Sequence, residues 1–241
     1  MTELLKFNKG NAKLSKDIYT FSLPAGYSCP GAKECLSRAG RHGSGIKDGL
    51  ETKFRCFAAS DEVQYKNTRE QRWHNFDLLK GKSTEEMAQL IEASLPKKAN
   101  LIRVHVSGDF FSPQYFDAWM QVARKNPLRT FYAYTKSLHI WVDRLDSIPS
   151  NFVLNASRGG IHDWLIGTYK LKSAEVVFSI EEAERKGLEI DHDDSHAYKS
   201  GESFALLIHG TQPAGSEASK ALQVLRKKGW TGYSKKGKLN V

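Results

Sequence analysis

Residues 100–137 read NLIRVHVSGDFFSPQYFDAWMQVARKNPLRTFYAYTKS. Two short runs rich in β-branched and aromatic residues, NLIRVHVSG (100–108) and RTFYAYTKS (129–137), flank a segment of different period. In that segment Phe116, Trp119, Met120 and Ala123 recur at helical spacing, so they form one buried stripe. Ser112 stands where an N-cap belongs and Pro113 at the first helical position, where a missing N–H costs nothing. The stretch predicts a strand, a helix and a strand, the unit from which parallel sheets are built.

The same alternation extends outward. DIYTFSLP (17–24), NFVLNASRGG (151–160), AEVVFSI (174–180) and SFALLIHG (203–210) read as further strands. DEVQYKNTREQRWHNFDLLKG (61–81), STEEMAQLIEASL (83–95), LHIWVDRLDSI (138–148) and SEASKALQVLRKKG (216–229) read as helices, and IHDWLIGTYK (161–170) as a short one. Ser83 with Glu86 forms a capping box ahead of the second. Five or six such units are too few to close an eightfold barrel. The expectation is one α/β domain over 1–241, either a partial (β/α) barrel or an open, mostly parallel sheet.

Both architectures put chemistry at the C-terminal strand ends. Those ends carry Ser107-Gly108-Asp109, Thr135-Lys136-Ser137, Asn155-Ala156-Ser157-Arg158 and His209-Gly210. The first strand runs into FSLPAGYSCPGAKECLSRAG (21–40), followed by KFRCFAAS (53–60). These hold all three cysteines, Cys29, Cys35 and Cys56, spaced C-x₅-C-x₂₀-C within a loop region at 25–60. Structural zinc sites use C-x₂₋₄-C pairs and four ligands, whereas iron–sulfur clusters are held by thiolates alone. Three cysteines on one loop region point to a [4Fe–4S] cluster with one iron left for another group. His196, in DHDDSH (191–196), is the candidate for that position; the segment itself reads as a polar surface loop. RHGSGIKDG (41–49) fits no phosphate-binding pattern and reads as flexible loop.

The chain holds 36 Lys and Arg against 27 Asp and Glu, a formal net charge of +9. That surplus points to an anionic partner, nucleic acid first, with a basic rim at Lys33–Arg55 beside the cysteines. No run approaches the 18 or so apolar residues of a membrane helix, and MTELLKFNKGNAK shows no signal sequence. The expected location is the cytoplasm, where thiols stay reduced and clustered cysteines bind metals or catalyse.

FSLPAGYSCPGAKECLSRAG, FRCFAAS, RVHVSGDFFSPQYFDAWM, FYAYTKS and SFALLIHG resemble the bacteriophage gene product 88 family over nearly the whole chain. That resemblance implies a viral protein acting in the host cytoplasm. A second resemblance is to radical SAM enzymes, which have a partial βα barrel, three cysteines after the first strand and a glycine–acid motif after the second. Here the cysteine spacing is wider than theirs, and Ser107-Gly108-Asp109 lacks their usual proline. This resemblance implies S-adenosylmethionine as a cofactor, with Ser107, Gly108 and Asn155 binding it. Asp109, Tyr134, Lys136 and Arg158 would then be the catalytic groups. The alternatives are an iron–sulfur nucleic-acid-binding protein or nuclease with a structural or redox-sensing cluster, and a zinc-stabilised interaction module.

Overall fold

The computed structural model describes residues 3–10, 14–230 and 232. In chain order its strands are β1 (Asn8–Lys9), β2 (Ile18–Ser22), β3 (Ser37–Ala39), β4 (Ile46–Asp48), β5 (Leu101–Ser107), β6 (Thr130–Thr135), β7 (Phe152–Ser157), β8 (Ser173–Val177), β9 (Glu189–Ile190) and β10 (Phe204–Leu207). Its helices are α1 (Phe57–Gln64), α2 (Lys66–Leu79), α3 (Thr84–Ser94), α4 (Pro113–Lys125), α5 (Leu138–Val142), α6 (Trp164–Thr168), α7 (Ile180–Arg185), α8 (Ser195–Tyr198) and α9 (Glu217–Lys227).

Eight strands share one sheet in the order β1-β2-β5-β6-β7-β8-β10-β9. Only the β1–β2 pair is antiparallel. From β2 to β10 each strand of the main run adds on the same side of the one before. A doubly wound sheet needs a reversal of that order, which is its switch point. The observed order is therefore that of a barrel wall, and the wall does not close. β1 and β9 form its two edges, each two residues long, which limits the unpaired backbone they expose.

One winding direction puts the crossover helices on one face. Ile102, Val104, Phe131, Ala133, Phe152 and Leu154 pack there with Met87, Ile91, Trp119 and Met120 of α3 and α4. Trp119 lies on the stripe expected from the sequence and is fully buried; truncating such a residue costs about 3–5 kcal/mol. Alternate residues face the other way. Leu101, Tyr132, Tyr134, Val153, Phe204 and Leu206 meet Ala197 and Tyr198 of α8 on the inner face.

Three expectations are corrected. The helix over 61–81 breaks at Tyr65, whose φ of −119° and ψ of 100° are extended. Guanidinium groups from α2 cap the carbonyls of α1: Arg69 Nη1 donates to Glu62 O at 2.6 Å, and Arg72 Nη1 to Ala58 O at 2.7 Å. The stretch 41–49 is not a flexible loop but the turn and second strand of the β3–β4 hairpin, with Gly43 and Gly45 at positive φ. The DHDDSH segment is not a surface loop throughout, because Asp191 and Asp194 are fully buried. No described helix is long and apolar enough to cross a membrane.

Candidate functional site

At the C-terminal ends of the strands lies a cavity of about 160 Å³. All three cysteines line it, together with Ser107, Gly108, Asp109, Tyr134 and Lys136. Phe54, Phe57, Val106, Val176, Leu206 and Ile208 give it an apolar wall.

The cysteine loop is held on the sheet by its backbone. Leu23 N–H donates to Ser107 O at 2.8 Å as the chain leaves β2. Ala25 N–H donates to Glu62 Oε1 at 2.8 Å, and the same oxygen accepts from Arg72 Nη1 at 2.9 Å. Glu62 and Arg72 are both buried, so this ion pair anchors the loop from within the protein. Farther on, Gly31 lies so close to the Lys136 carbonyl that a Cβ there would overlap it. Ala32 bridges Gly160, Glu34 N–H donates to Gly159 O at 2.9 Å, and Ile161 N–H donates to Gly31 O at 2.9 Å.

The β3–β4 hairpin accounts for the twenty residues between Cys35 and Cys56. It turns the chain back so that Cys56 N–H reaches Ser37 Oγ at 3.2 Å. Cys56 stands at the N-cap of α1, with the amides of Ala58 and Ala59 turned toward its sulfur. From the far end of the chain, Gln212 clasps Arg55. Its Oε1 accepts from Arg55 N at 2.7 Å, and its Nε2 donates to Arg55 O at 3.0 Å.

The electrostatics follow from burial. Burial, Asp109 and the other two cysteines push the Cys29 thiol well above its usual range. Burial and Cys35 push Cys56 up to about 12, against the Ala58 and Ala59 amides. A metal binding these groups has to displace their protons, so uptake releases acid. Burial raises the Asp109 carboxyl to about 6, opposed by the hydrogen bonds it accepts.

Five of the expected site residues, Ser107, Gly108, Asp109, Tyr134 and Lys136, join the cysteines here. Asp109 accepts from Phe110 N at 2.7 Å, Thr135 Oγ1 at 2.6 Å and Lys136 N at 2.7 Å, which ties the end of β5 to the end of β6. Gly108, at φ 87°, is pressed against Leu23 and Ser28, where a Cβ would come within 2.6 Å of each. Lys136 Nζ donates to Ser157 O at 3.1 Å, Ser157 Oγ at 2.6 Å and Arg158 O at 2.7 Å, which uses all three of its protons. The Tyr134 hydroxyl donates to Asp194 Oδ1 at 3.2 Å.

Arg158, Asn155 and His196 do not line the cavity. Ser157 faces the cavity, so strand alternation turns Arg158 outward, to Ser173 Oγ at 3.3 Å and Glu175 at 3.7 Å. Asn155 is on the inner face but nearer its floor, where it donates to Ala133 O at 3.2 Å and Ala197 O at 2.9 Å. His196 sits beside Glu189 at 2.8 Å and Asp191 at 3.6 Å, at the β9 edge. The expected basic rim is largely neutralised. Lys33 pairs with Glu51, Lys53 with Glu34, Arg55 with Asp48 and Arg41 with Asp77.

The strand-end rule missed Arg103 and His105, which line the cavity from inside β5. Arg103 Nη1 donates to the buried Asp194 at 2.7 Å, which also accepts from Tyr132 at 3.0 Å. Two charged or titratable residues at alternate positions of an otherwise apolar strand were the available signal. Among the described residues, no three His, Cys, Asp or Glu side chains are grouped so as to hold a single metal ion.

A family model described as gene product 88 matches residues 4–227. A Gene 88 protein of Mycobacterium phage L5 is 28% identical over 167 residues, covering 63% of this chain and 63% of that protein. A Gene 88 protein of Mycobacterium phage D29 is 29% identical over 147 residues, covering 56% of this chain and 55% of that protein. The chain thus spans less than two thirds of the length of the curated relatives it matches. No solved structure matches it. With a family model running through nearly all its described strands and helices, this chain belongs to the gene product 88 family of bacteriophages.

Proposed function

We propose that the chain is an iron–sulfur protein. In this reading Cys29, Cys35 and Cys56 hold a [4Fe–4S] cluster at the cavity, beside which a small ligand undergoes redox or radical-type chemistry. The observation that carries the reading is the convergence of all three thiols of the chain on one cavity at the strand ends, from two segments twenty residues apart. Three cysteines with no fourth in the sequence favour a cluster over a structural zinc site, which takes four ligands. A tetrahedral zinc draws its ligands to one point, whereas each cluster thiolate takes its own iron. Three thiolates leave one iron for an exogenous group, and the cavity supplies the space beside it. When bound, such a cluster supplies an electron and an open Lewis-acidic iron.

The protein's own residues position and enclose this site. Asp109, Gly108 and Lys136 lock the strand ends and the cysteine loop together, and they spend their hydrogen-bonding capacity in doing so. Gly108 and Asp109 therefore support the loop rather than contacting a ligand, and S-adenosylmethionine binding has to be tested directly. Anaerobic reconstitution followed by visible absorption, iron and sulfide analysis tests the cluster. Wild type should be brown with iron and sulfide in equal amounts. Cys29→Ala, Cys35→Ala and Cys56→Ala should each lose most of the iron. Stoichiometric zinc without sulfide, or full iron in any one variant, overturns the three-thiolate cluster. A titration of the reconstituted protein with S-adenosylmethionine decides whether that cofactor is the exogenous group.

A further inference from the structure

Three polar residues of β5 line the cavity: Arg103, His105 and Ser107. Each keeps a buried atom with no partner among the described residues: Arg103 Nε, His105 Nδ1 and Ser107 Oγ. A buried polar atom left unbonded costs about 1–3 kcal/mol, so three in a row along one cavity wall need an explanation. The cavity's other charged groups are already engaged: Lys136 by three acceptors, Asp109 by three donors, Arg55 by Asp48 at 3.1 Å.

The backbone of β5 is shaped around this row. Thr20 pairs with Arg103 and Ser22 with Ser107, so β5 spends four residues where β2 spends two. His105 sits inside that bulge at φ 69°, a left-handed conformation that a strand residue adopts only under constraint. Tyr115 holds its ring, with the hydroxyl 3.0 Å from Nε2. Burial, with Arg103 nearby, pushes the imidazole down to about 3, so it is neutral and carries one N–H. With Tyr115 donating to Nε2, that N–H is at Nδ1.

We propose that β5 reads the carboxylate of a small organic acid in this cavity, through Arg103 Nε–H, His105 Nδ1–H and Ser107 Oγ–H. The proposal rests on the cavity being the ligand site of the reading above. Arg103 Nε can only donate, His105 Nδ1 donates in the tautomer in which Tyr115 donates to Nε2, and the hydroxyl can donate, so the complement is an acceptor-rich group. The apolar lining of Val176, Leu206 and Ile208, from β8 and the end of β10, favours an organic acid over an inorganic anion, because it has room for carbon and nothing to bond phosphate. A volume of 160 Å³ holds about five waters at about 30 Å³ each, which limits the acid to a few carbons.

The test uses butyrate as probe, butyramide as its neutral counterpart and inorganic phosphate as an anion without an apolar body. Binding is followed by ligand-observed NMR on metal-free and on reconstituted protein. Butyrate should bind the metal-free protein about tenfold more tightly than butyramide, and phosphate should not compete with it. Ser107→Ala should weaken butyrate about fivefold to tenfold without lowering the melting temperature, since it deletes an unbonded hydroxyl. Arg103→Lys, which keeps a cation for Asp194 but removes Nε, should weaken it similarly. Equal binding of butyrate and butyramide, no butyrate binding, or full binding by both variants overturns the proposal. Butyrate failing to bind while wild type loads iron and sulfide overturns this inference and leaves the cluster. Butyrate binding to a protein that takes up no iron overturns the cluster and leaves this inference.

Discussion

Replacing Gly31 with alanine puts a methyl group against the Lys136 carbonyl and within 3.2 Å of the Ser137 amide. Both are backbone, so no change of rotamer makes room, and either the loop or the end of β6 has to move. Overpacking of this kind costs about 1–3 kcal/mol. Movement also strains the Ile161 N–H bond to Gly31 O, worth about 1 kcal/mol. A total near 2–4 kcal/mol follows, and at about 2–4 °C per kcal/mol for a chain of this size the melting temperature should fall by about 4–16 °C. Gly167 provides the control, because a Cβ there meets nothing within 4 Å and its φ is not positive. Gly167→Ala removes backbone freedom from α6 and should stabilise by about 0.5–1 kcal/mol. The assays are thermal unfolding and the rate at which the thiols react with an aromatic disulfide reagent. In Gly31→Ala the thiols should react faster well below the melting transition, because the strain sits where their loop docks. A Gly31→Ala protein with wild-type melting and wild-type thiol rates would refute the docking argument.

Three further outcomes are expected. Glu62→Ala leaves the Arg72 guanidinium buried without its main partner and frees Ala25 N–H, so urea denaturation should show a loss of about 3–5 kcal/mol; a loss below about 1 kcal/mol contradicts the anchoring role. Asp109 titrates at about 6 when folded, above about 3.9 when unfolded. Its contribution to stability is therefore fully present below about pH 4 and is lost as pH rises through about 6, by up to roughly 3 kcal/mol. Measured by urea denaturation of metal-free protein, the advantage of wild type over Asp109→Asn should shrink from pH 4 to pH 6, and a growing advantage contradicts the shift. His196→Ala should leave the iron content of reconstituted protein unchanged, because its imidazole lies beside Glu189 rather than at the cavity; iron loss would place it among the ligands.

The fold was legible where local pattern and tertiary demand agree. The Ser112–Pro113 start and the Phe116, Trp119, Met120 stripe of α4 needed nothing from outside the segment. The break at Tyr65 was not legible, since it depends on Arg69 and Arg72 reaching back to the carbonyls of α1. For the site, the strand-end rule brought Ser107, Gly108, Asp109 and Lys136 to the cysteines. It failed for Arg158 because one step along a strand reverses the face, and for Asn155 because depth within the sheet has no local signature. Asp194 looked like a solvated loop residue because its partners Arg103, Tyr132 and Tyr134 lie sixty to ninety residues away.

The Gln212 clasp on Arg55 also bears on how the protein is made. The ribosome releases Cys29, Cys35 and Cys56 long before residues 159–161 arrive to seat their loop, and longer still before Gln212 arrives to fix the segment ahead of Cys56. Throughout that interval the three sulfurs are tethered to one another by sequence but have no walls around them. Any metal that meets the nascent chain encounters a floppy thiol peptide, whose preferences are those of free cysteine rather than of the finished cavity. For the cluster proposed above, selectivity would thus be a property only of the completed chain. Heterologous preparations made by fast synthesis in zinc-rich medium should differ in metal content from those made slowly under iron supply.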